Sequence, residues 1–119
     1  MARILLADDD AATRDLVRRA LEADGHSVLA TQDGNEALEQ AREGGKFDLL
    51  VSDVEMPMLD GVTLAERAFP LQPGLRVLLM SGFADQLERA KDLSGPHVAV
   101  LSKPFTLDQV RASVRKLLD

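Results

Sequence analysis

The chain has 119 residues, 45% hydrophobic and 29% charged, with a formal net charge of −6 and no cysteine. That is the size of one domain with a modest core; it excludes disulfides, thiol chemistry and Cys-ligated zinc, and the acidic balance argues against nucleic acid, whose phosphates want a basic face. No apolar run approaches the ~20 residues that span a bilayer and no signal-peptide pattern precedes the first strand, so one cytoplasmic domain with no membrane contact is expected.

Ile4-Leu5-Leu6-Ala7 reads as a short buried strand that ends on Asp8-Asp9-Asp10. Asp10 is placed to cap a helix in which Leu16, Val17, Ala20 and Leu21 recur at helical spacing and which Gly25 closes. Val28 to Thr31 is a strand; Asp33-Gly34 then turns the chain into a helix carrying Ala37, Leu38 and Ala41, ended by Gly44-Gly45. Leu49-Leu50-Val51-Ser52-Asp53 is a run that ends on a carboxylate, the pattern of a strand covered by helices on both faces. Beyond it, Asp60-Gly61 reads as a turn, and Leu64, Ala65 and Ala68 as a helix ending before Pro70.

After a Pro73-Gly74 turn, Val77 to Met80 is a strand ending on Ser81-Gly82. A helix of polar character follows, from about Ala84 to Leu93, with Leu87 and Ala90 as its apolar positions and Gly95-Pro96 as its breaker. Val98 to Leu101 is the last strand; it ends on Ser102-Lys103-Pro104-Phe105, and Thr106 or Leu107 opens a helix with Val110, Val114, Leu117 and Leu118 on one face. Met56, Met58 and Met80 are expected to pack, and His26 and His97 to lie on the surface. Gly44-Gly45-Lys46 precedes a strand and lacks the rest of a phosphate-binding loop, so it is only a turn.

Strand and helix alternate throughout with short connections, which implies a doubly wound α/β domain with a parallel sheet and right-handed crossovers. Parallel strands end on one edge, where such sheets place their ligand sites. Asp8, Asp9, Asp53, Ser81 and Lys103 should therefore converge. Carboxylates about 4 Å apart repel by about 4 kcal/mol per pair at an effective dielectric near 20, so keeping them ionised calls for a cation. Oxygen ligands without His or Cys select magnesium. Lys103 and Ser81 would neutralise the oxygens of a phosphoryl group in transfer, and a carboxylate is a competent nucleophile for it. Three classes fit these groups: a phosphorylation switch, a magnesium-dependent phosphatase with an aspartate nucleophile and Glu55 as a poor general acid, and a partner-binding domain that is never phosphorylated.

Ala7-Asp8-Asp9, Asp53 followed by Met56-Pro57 and Asp60-Gly61, Ser81-Gly82 and Lys103-Pro104-Phe105 together resemble the receiver domain of two-component response regulators. The resemblance covers essentially the whole chain. It implies the CheY-like, flavodoxin-like fold, five strands in order 2-1-3-4-5 with five helices, and a single receiver domain over 1–119 with no output domain. It implies that Asp53 accepts a phosphoryl group from the phosphohistidine of a histidine kinase or phosphotransfer protein, that Asp8, Asp9, Asp53 and the Glu55 main chain hold Mg2+, and that Ser81 and Lys103 bind the transferred group. On this view the protein is a switch and not a turnover enzyme, a monomer or weak dimer with a cis Lys103–Pro104 bond. The runs Ala2 to Ala7, Gly82 to Ala90 and Ser102 to Leu107 resemble the CpdR-type regulators, which act with the ClpXP protease. Two positions depart from the common pattern: Val100 stands where many receivers carry a rotating aromatic ring, and Phe83 brings a ring close to the site. Phe83 is expected to shield an acyl phosphate from water, and Glu55 to tune its lifetime.

Overall fold

The computed structural model describes residues 1–93 and 97–119. Five strands alternate with five helices: β1 (Arg3–Ala7), α1 (Ala11–Ala23), β2 (Ser27–Thr31), α2 (Gly34–Glu43), β3 (Leu49–Asp53), α3 (Gly61–Ala68), β4 (Arg76–Ser81), α4 (Ala84–Lys91), β5 (Val98–Ser102) and α5 (Leu107–Leu118). The sheet is parallel, in the order β2-β1-β3-β4-β5. The fold expected from sequence is the fold observed. Gly95-Pro96, the expected end of α4, lies outside the described residues.

Alternation along the strands divides the core into two layers. Leu5, Leu50, Val77 and Leu79 face one layer with α2 and α3, while Ile4, Leu6, Leu49, Val51, Leu78 and Met80 face the other with α1 and α5. Every residue of the central β3 is buried, and the edge strands β2 and β5 are only half covered. Burying one Leu side chain contributes about 1.5–3 kcal/mol, so the middle of the sheet is the best-anchored part of the molecule. Its register sets Ala7 beside Ser52, Asp53 beside Met80 and Ser81 beside Ser102. The carboxyl ends of four adjacent strands thus form one rim.

Side chains rather than glycine turns start most of the helices. Asp10, Asp33, Asp60 and Thr106 each accept a hydrogen bond from the backbone N–H three residues on, and Gln109 completes a capping box with Thr106. Asp33-Gly34 and Asp60-Gly61, expected as turns, are therefore a cap and a first helical residue. Both glycines are required by close approach. A Cβ on Gly34 would stand 2.3 Å from the Leu59 carbonyl oxygen, and one on Gly61 2.3 Å from that of Asp53. The second approach holds α3 directly against the end of β3.

Three packing expectations are corrected. Leu16 is 53% exposed, because α1 lays only the Val17–Leu21 line on the sheet and Leu16 falls on the wall of an open groove opposite Phe105 and Leu107. Met58 is 85% exposed, on a left-handed backbone with φ of 69° that turns it outward while Met56 and Leu59 pack. His26 is half-buried, and its Nδ1 accepts the Ala2 N–H at 3.1 Å, tying β1 to the start of β2. His97 is exposed, and Met80 is fully buried.

α4 is the least anchored helix. Phe83 gives it no side-chain cap, and Ala90 is its one buried residue. A polar bracket compensates: Arg89 reaches across to α3, pairing with Asp60 at 3.0 Å and donating to Thr63 Oγ1 at 3.0 Å.

A buried glutamine escaped the sequence reading. Gln72 accepts the Phe47 N–H at 2.9 Å and donates to the carbonyls of Ala41 and Gly45 at 2.8 and 2.7 Å, closing the connection between α2 and β3. Gln72→Leu keeps the volume but strands one donor and two acceptors. Urea denaturation is expected to show a stability loss of about 2–4 kcal/mol, and a loss below about 1 kcal/mol would contradict this role.

Candidate functional site

Asp8 follows β1 directly and Asp53 ends β3, so the pairing of these two central strands brings their carboxylates together. One oxygen from each of Asp8, Asp9 and Asp53 lies within 4.8 Å of the others. Asp8 is 1% exposed and Asp53 4%, whereas Asp9 faces solvent. Asp8 Oδ1 accepts the Asp10 N–H at 2.9 Å, and the chain there is held by Arg14, which donates to the Asp8 carbonyl at 2.8 Å. Asp8 Oδ2 and Asp53 Oδ1 are buried and have no hydrogen-bond partner among the described residues. Two orphaned carboxylate oxygens beside a third acid, with no nitrogen or sulfur ligand among them, form a donor set for a hard divalent cation.

Lys103 enters from the turn after β5, where the Lys103–Pro104 bond is cis. Its Nζ bonds Asp53 Oδ2 at 2.9 Å, and its backbone N–H donates to the Ser81 carbonyl at 2.8 Å. Burial pushes the Asp8 carboxyl up to about 6, with the Asp53 charge adding to the effect and the Asp10 N–H opposing it. Asp53 is also raised, by burial first, against the hydrogen bond and charge of Lys103. For Lys103 burial works downward, but the Asp53 hydrogen bond and the surrounding carboxylates outweigh it and hold the ammonium above its ordinary value. The ammonium is thus retained as a cation, while Asp8 and Asp53 sit in an environment that disfavours their own charge.

Ser81 is fully buried at the end of β4. Its hydroxyl does not bond Asp53. It donates to Glu55 Oε2 at 2.5 Å and accepts the Phe83 N–H at 3.1 Å, and the Gly82 N–H lies 3.4 Å from Glu55 Oε1. The Glu55 carboxylate is thus committed to the turn after β4, which counts against a free general acid beside Asp53. The family resemblance implies a metal ligand in the Glu55 main chain, and the carboxylate is expected to tune the phosphoryl lifetime, not to bond Ser81. Nothing in the local pattern names Ser81, which is 26 positions away. Phe83 is 59% exposed, so the expected shield stands in solvent. Asp60, expected only as a turn residue, links the loop after Asp53 to α4 through Arg89. Burial works upward on its carboxyl, but the Thr63 N–H and Arg89 outweigh that and hold it below the usual range.

A doubly wound sheet with an acidic cluster and a lysine at its carboxyl rim defines a class of switch domain, and the sequence matches the response regulator receiver domain over residues 4–115. The chain belongs to that family, the CheY-like receivers of two-component signalling. It is 40% identical to the response regulator receiver protein CpdR of Brucella abortus (strain 2308), over 99% of this chain and 98% of that protein. The solved receiver domain of the hybrid histidine kinase CckA is 36% identical and superposes with a TM-score of 0.82, covering 98% of this chain and 99% of that one. A Burkholderia pseudomallei response regulator with a phosphorylated aspartic acid, calcium ion and citrate is 25% identical with a TM-score of 0.80, over 94% of this chain and 65% of that one. No helix among the described residues is long and apolar enough to cross a membrane.

The raised Asp8 carboxyl has a measurable consequence. The folded protein binds that proton more tightly than the unfolded chain, so the stability it lends is complete below 3.8 and is lost as pH rises through about 6. In chelator, urea midpoints are expected to fall from about pH 4 to about pH 6.5, with little change above, and Asp8→Asn to flatten most of that slope; an unchanged slope in Asp8→Asn would exclude Asp8 as its origin.

Proposed function

We propose that this receiver works as a phosphorylation switch in which Asp53 accepts a phosphoryl group from the phosphohistidine of a histidine kinase or phosphotransfer protein. The observation that carries the reading is the pair of buried, unpartnered oxygens on Asp8 and Asp53, meeting Lys103 at one rim. The phosphorylated aspartic acid and calcium ion of the Burkholderia structure support it. Asp8, Asp9, Asp53 and the Glu55 main chain are the residues to hold Mg2+, which when bound supplies positive charge to the acids and to phosphoryl oxygens.

The chain's own groups then divide the work. An Asp53 carboxylate oxygen attacks phosphorus, a P–O bond forms, and the P–N bond to the imidazole breaks, leaving the donor histidine neutral once it takes a proton. Lys103 holds Asp53 in position before transfer and, as a fixed cation, balances the charge that accumulates on the phosphoryl oxygens during it. Water later attacks the acyl phosphate, restoring the carboxylate and releasing inorganic phosphate. The new dianion competes for Lys103 and Ser81, and both belong to turns that lead into α4 or α5. α4, held by one buried alanine and the Arg89 bracket, has the least to lose by shifting, so α4, β5 and α5 are the surface on which the state is read.

Similarity to CpdR, at 40% identity over nearly the full length of both chains, supports output through protein–protein contact. Control of ClpXP proteolysis is the specific output that this kinship favours. The acidic surface and the commitment of Glu55 to Ser81 favour the switch over a nucleic-acid regulator and over a phosphatase.

Intact mass after incubation with acetyl phosphate and Mg2+ is expected to show one added, labile phosphoryl group, absent in Asp53→Asn and in chelator. Steady turnover of the donor without a modified protein would favour the phosphatase, and no modification at all would overturn the switch. Lys103→Ala is expected to slow phosphorylation by at least about tenfold, read as the rise of the modified mass with time.

A further inference from the structure

A serine hydroxyl has one proton to donate, and in Ser81 that proton is already spent. Oγ donates to Glu55 Oε2 at 2.5 Å and accepts the Phe83 N–H at 3.1 Å, in a side chain with no solvent exposure. Glu55 Oε1 also faces the Gly82 N–H at 3.4 Å. The carboxylate of Glu55 thus sits against the donors of the turn between β4 and α4, and an anion on Asp53 finds the hydroxyl turned away from it.

We propose that Glu55 is a positioning residue that acts through Ser81: its carboxylate is an internal anion that holds the Ser81 hydroxyl and the turn before α4 in the unphosphorylated arrangement, and a phosphoryl group on Asp53 must displace it. The inference rests on Asp53 being the phosphoryl acceptor and adds the regulation of that site. Either the carboxylate or the phosphoryl group has the single Ser81 proton, so the contact is exclusive and the switch has two states instead of a continuum. Both competitors are negative and Glu55 stands two residues from Asp53, so charge repulsion works with the exchange once the phosphoryl group arrives. Release also frees the Gly82 N–H and loosens the Phe83 N–H, the backbone that leads directly into uncapped α4. The phosphoryl state of β3 is thereby passed to the helix with the weakest anchorage.

A plain electrostatic role for Glu55, repelling any incoming anion, makes a different forecast, and Ser81 separates the two. Hydrogen exchange of the unphosphorylated protein is expected to speed up about tenfold at Gly82 and Phe83 in Glu55→Ala. Glu55→Asp keeps the charge but not the reach, and should show the same acceleration. Beryllofluoride with Mg2+ serves as the phosphoryl analogue: Glu55→Ala is expected to bind it about tenfold more tightly in the Ser81 background and with little change in Ser81→Ala. An equal gain in both backgrounds, or unchanged exchange at Gly82 and Phe83 in both Glu55 variants, overturns the latch while leaving the switch intact. Wild-type protein that takes up neither beryllofluoride nor a phosphoryl group overturns the switch reading, and the latch with it.

Discussion

Two carboxylates taken out of water at the ends of adjacent strands impose the constraint on which the rest depends. Removing a charge from water costs several kcal/mol unless a partner compensates, and the two are compensated unequally. Among the described residues, Asp53 has Lys103 on one oxygen and nothing on the other, and Asp8 has one backbone N–H and an orphaned second oxygen. Burial therefore pushes both carboxyls toward protonation, Asp8 up to about 6. A rim in this condition offers ligands that fit a hard divalent cation, with the Lys103 ammonium standing beside them. The orphaned oxygens and the raised carboxyls have one origin, the low solvent access at the end of β3.

That same burial separates a rigid centre from a lightly held surround, which is the division the proposed switch would use. The centre of the sheet is packed on both faces and has no freedom to move, so a change at Asp53 is taken up by its surroundings. Those surroundings are polar and lightly held: Ser81 by Glu55, α4 by Ala90 and by Arg89 on Asp60 and Thr63. Both tethers originate in the loop that follows Asp53. Glu55 grips the turn entering α4, and Asp60, which caps α3, grips the body of α4. One loop therefore ties the helix at two points, and Val100 is half-buried in β5.

Sequence reading went furthest where one physical rule operates alone. Continuous apolar runs ending on Asp, Ser or Lys required buried parallel strands, and the strand ends then named Asp8, Asp53, Ser81 and Lys103 as neighbours. It failed where a side chain had two acceptable fates. Leu16 fits the helical period but not the contact line of α1, and Met58 sits on a backbone that points it away from the core. Gln72 and Glu55 were invisible for a different reason: a polar side chain announces its type, while its partners, Phe47 and Ser81, are 25 and 26 positions distant.

The amino-acid order by itself determined the alternation of elements, the edge of the sheet on which the polar strand ends meet, and the identity of the acids, hydroxyl and lysine gathered there, because burial periodicity and strand direction are local properties summed along the chain. The tertiary structure alone decided which oxygens are left without partners, which anion holds the Ser81 proton, and how α4 is tied down. Those are contests between groups far apart in sequence for a single donor or a single space, and only the folded arrangement has all the contestants in reach of one another.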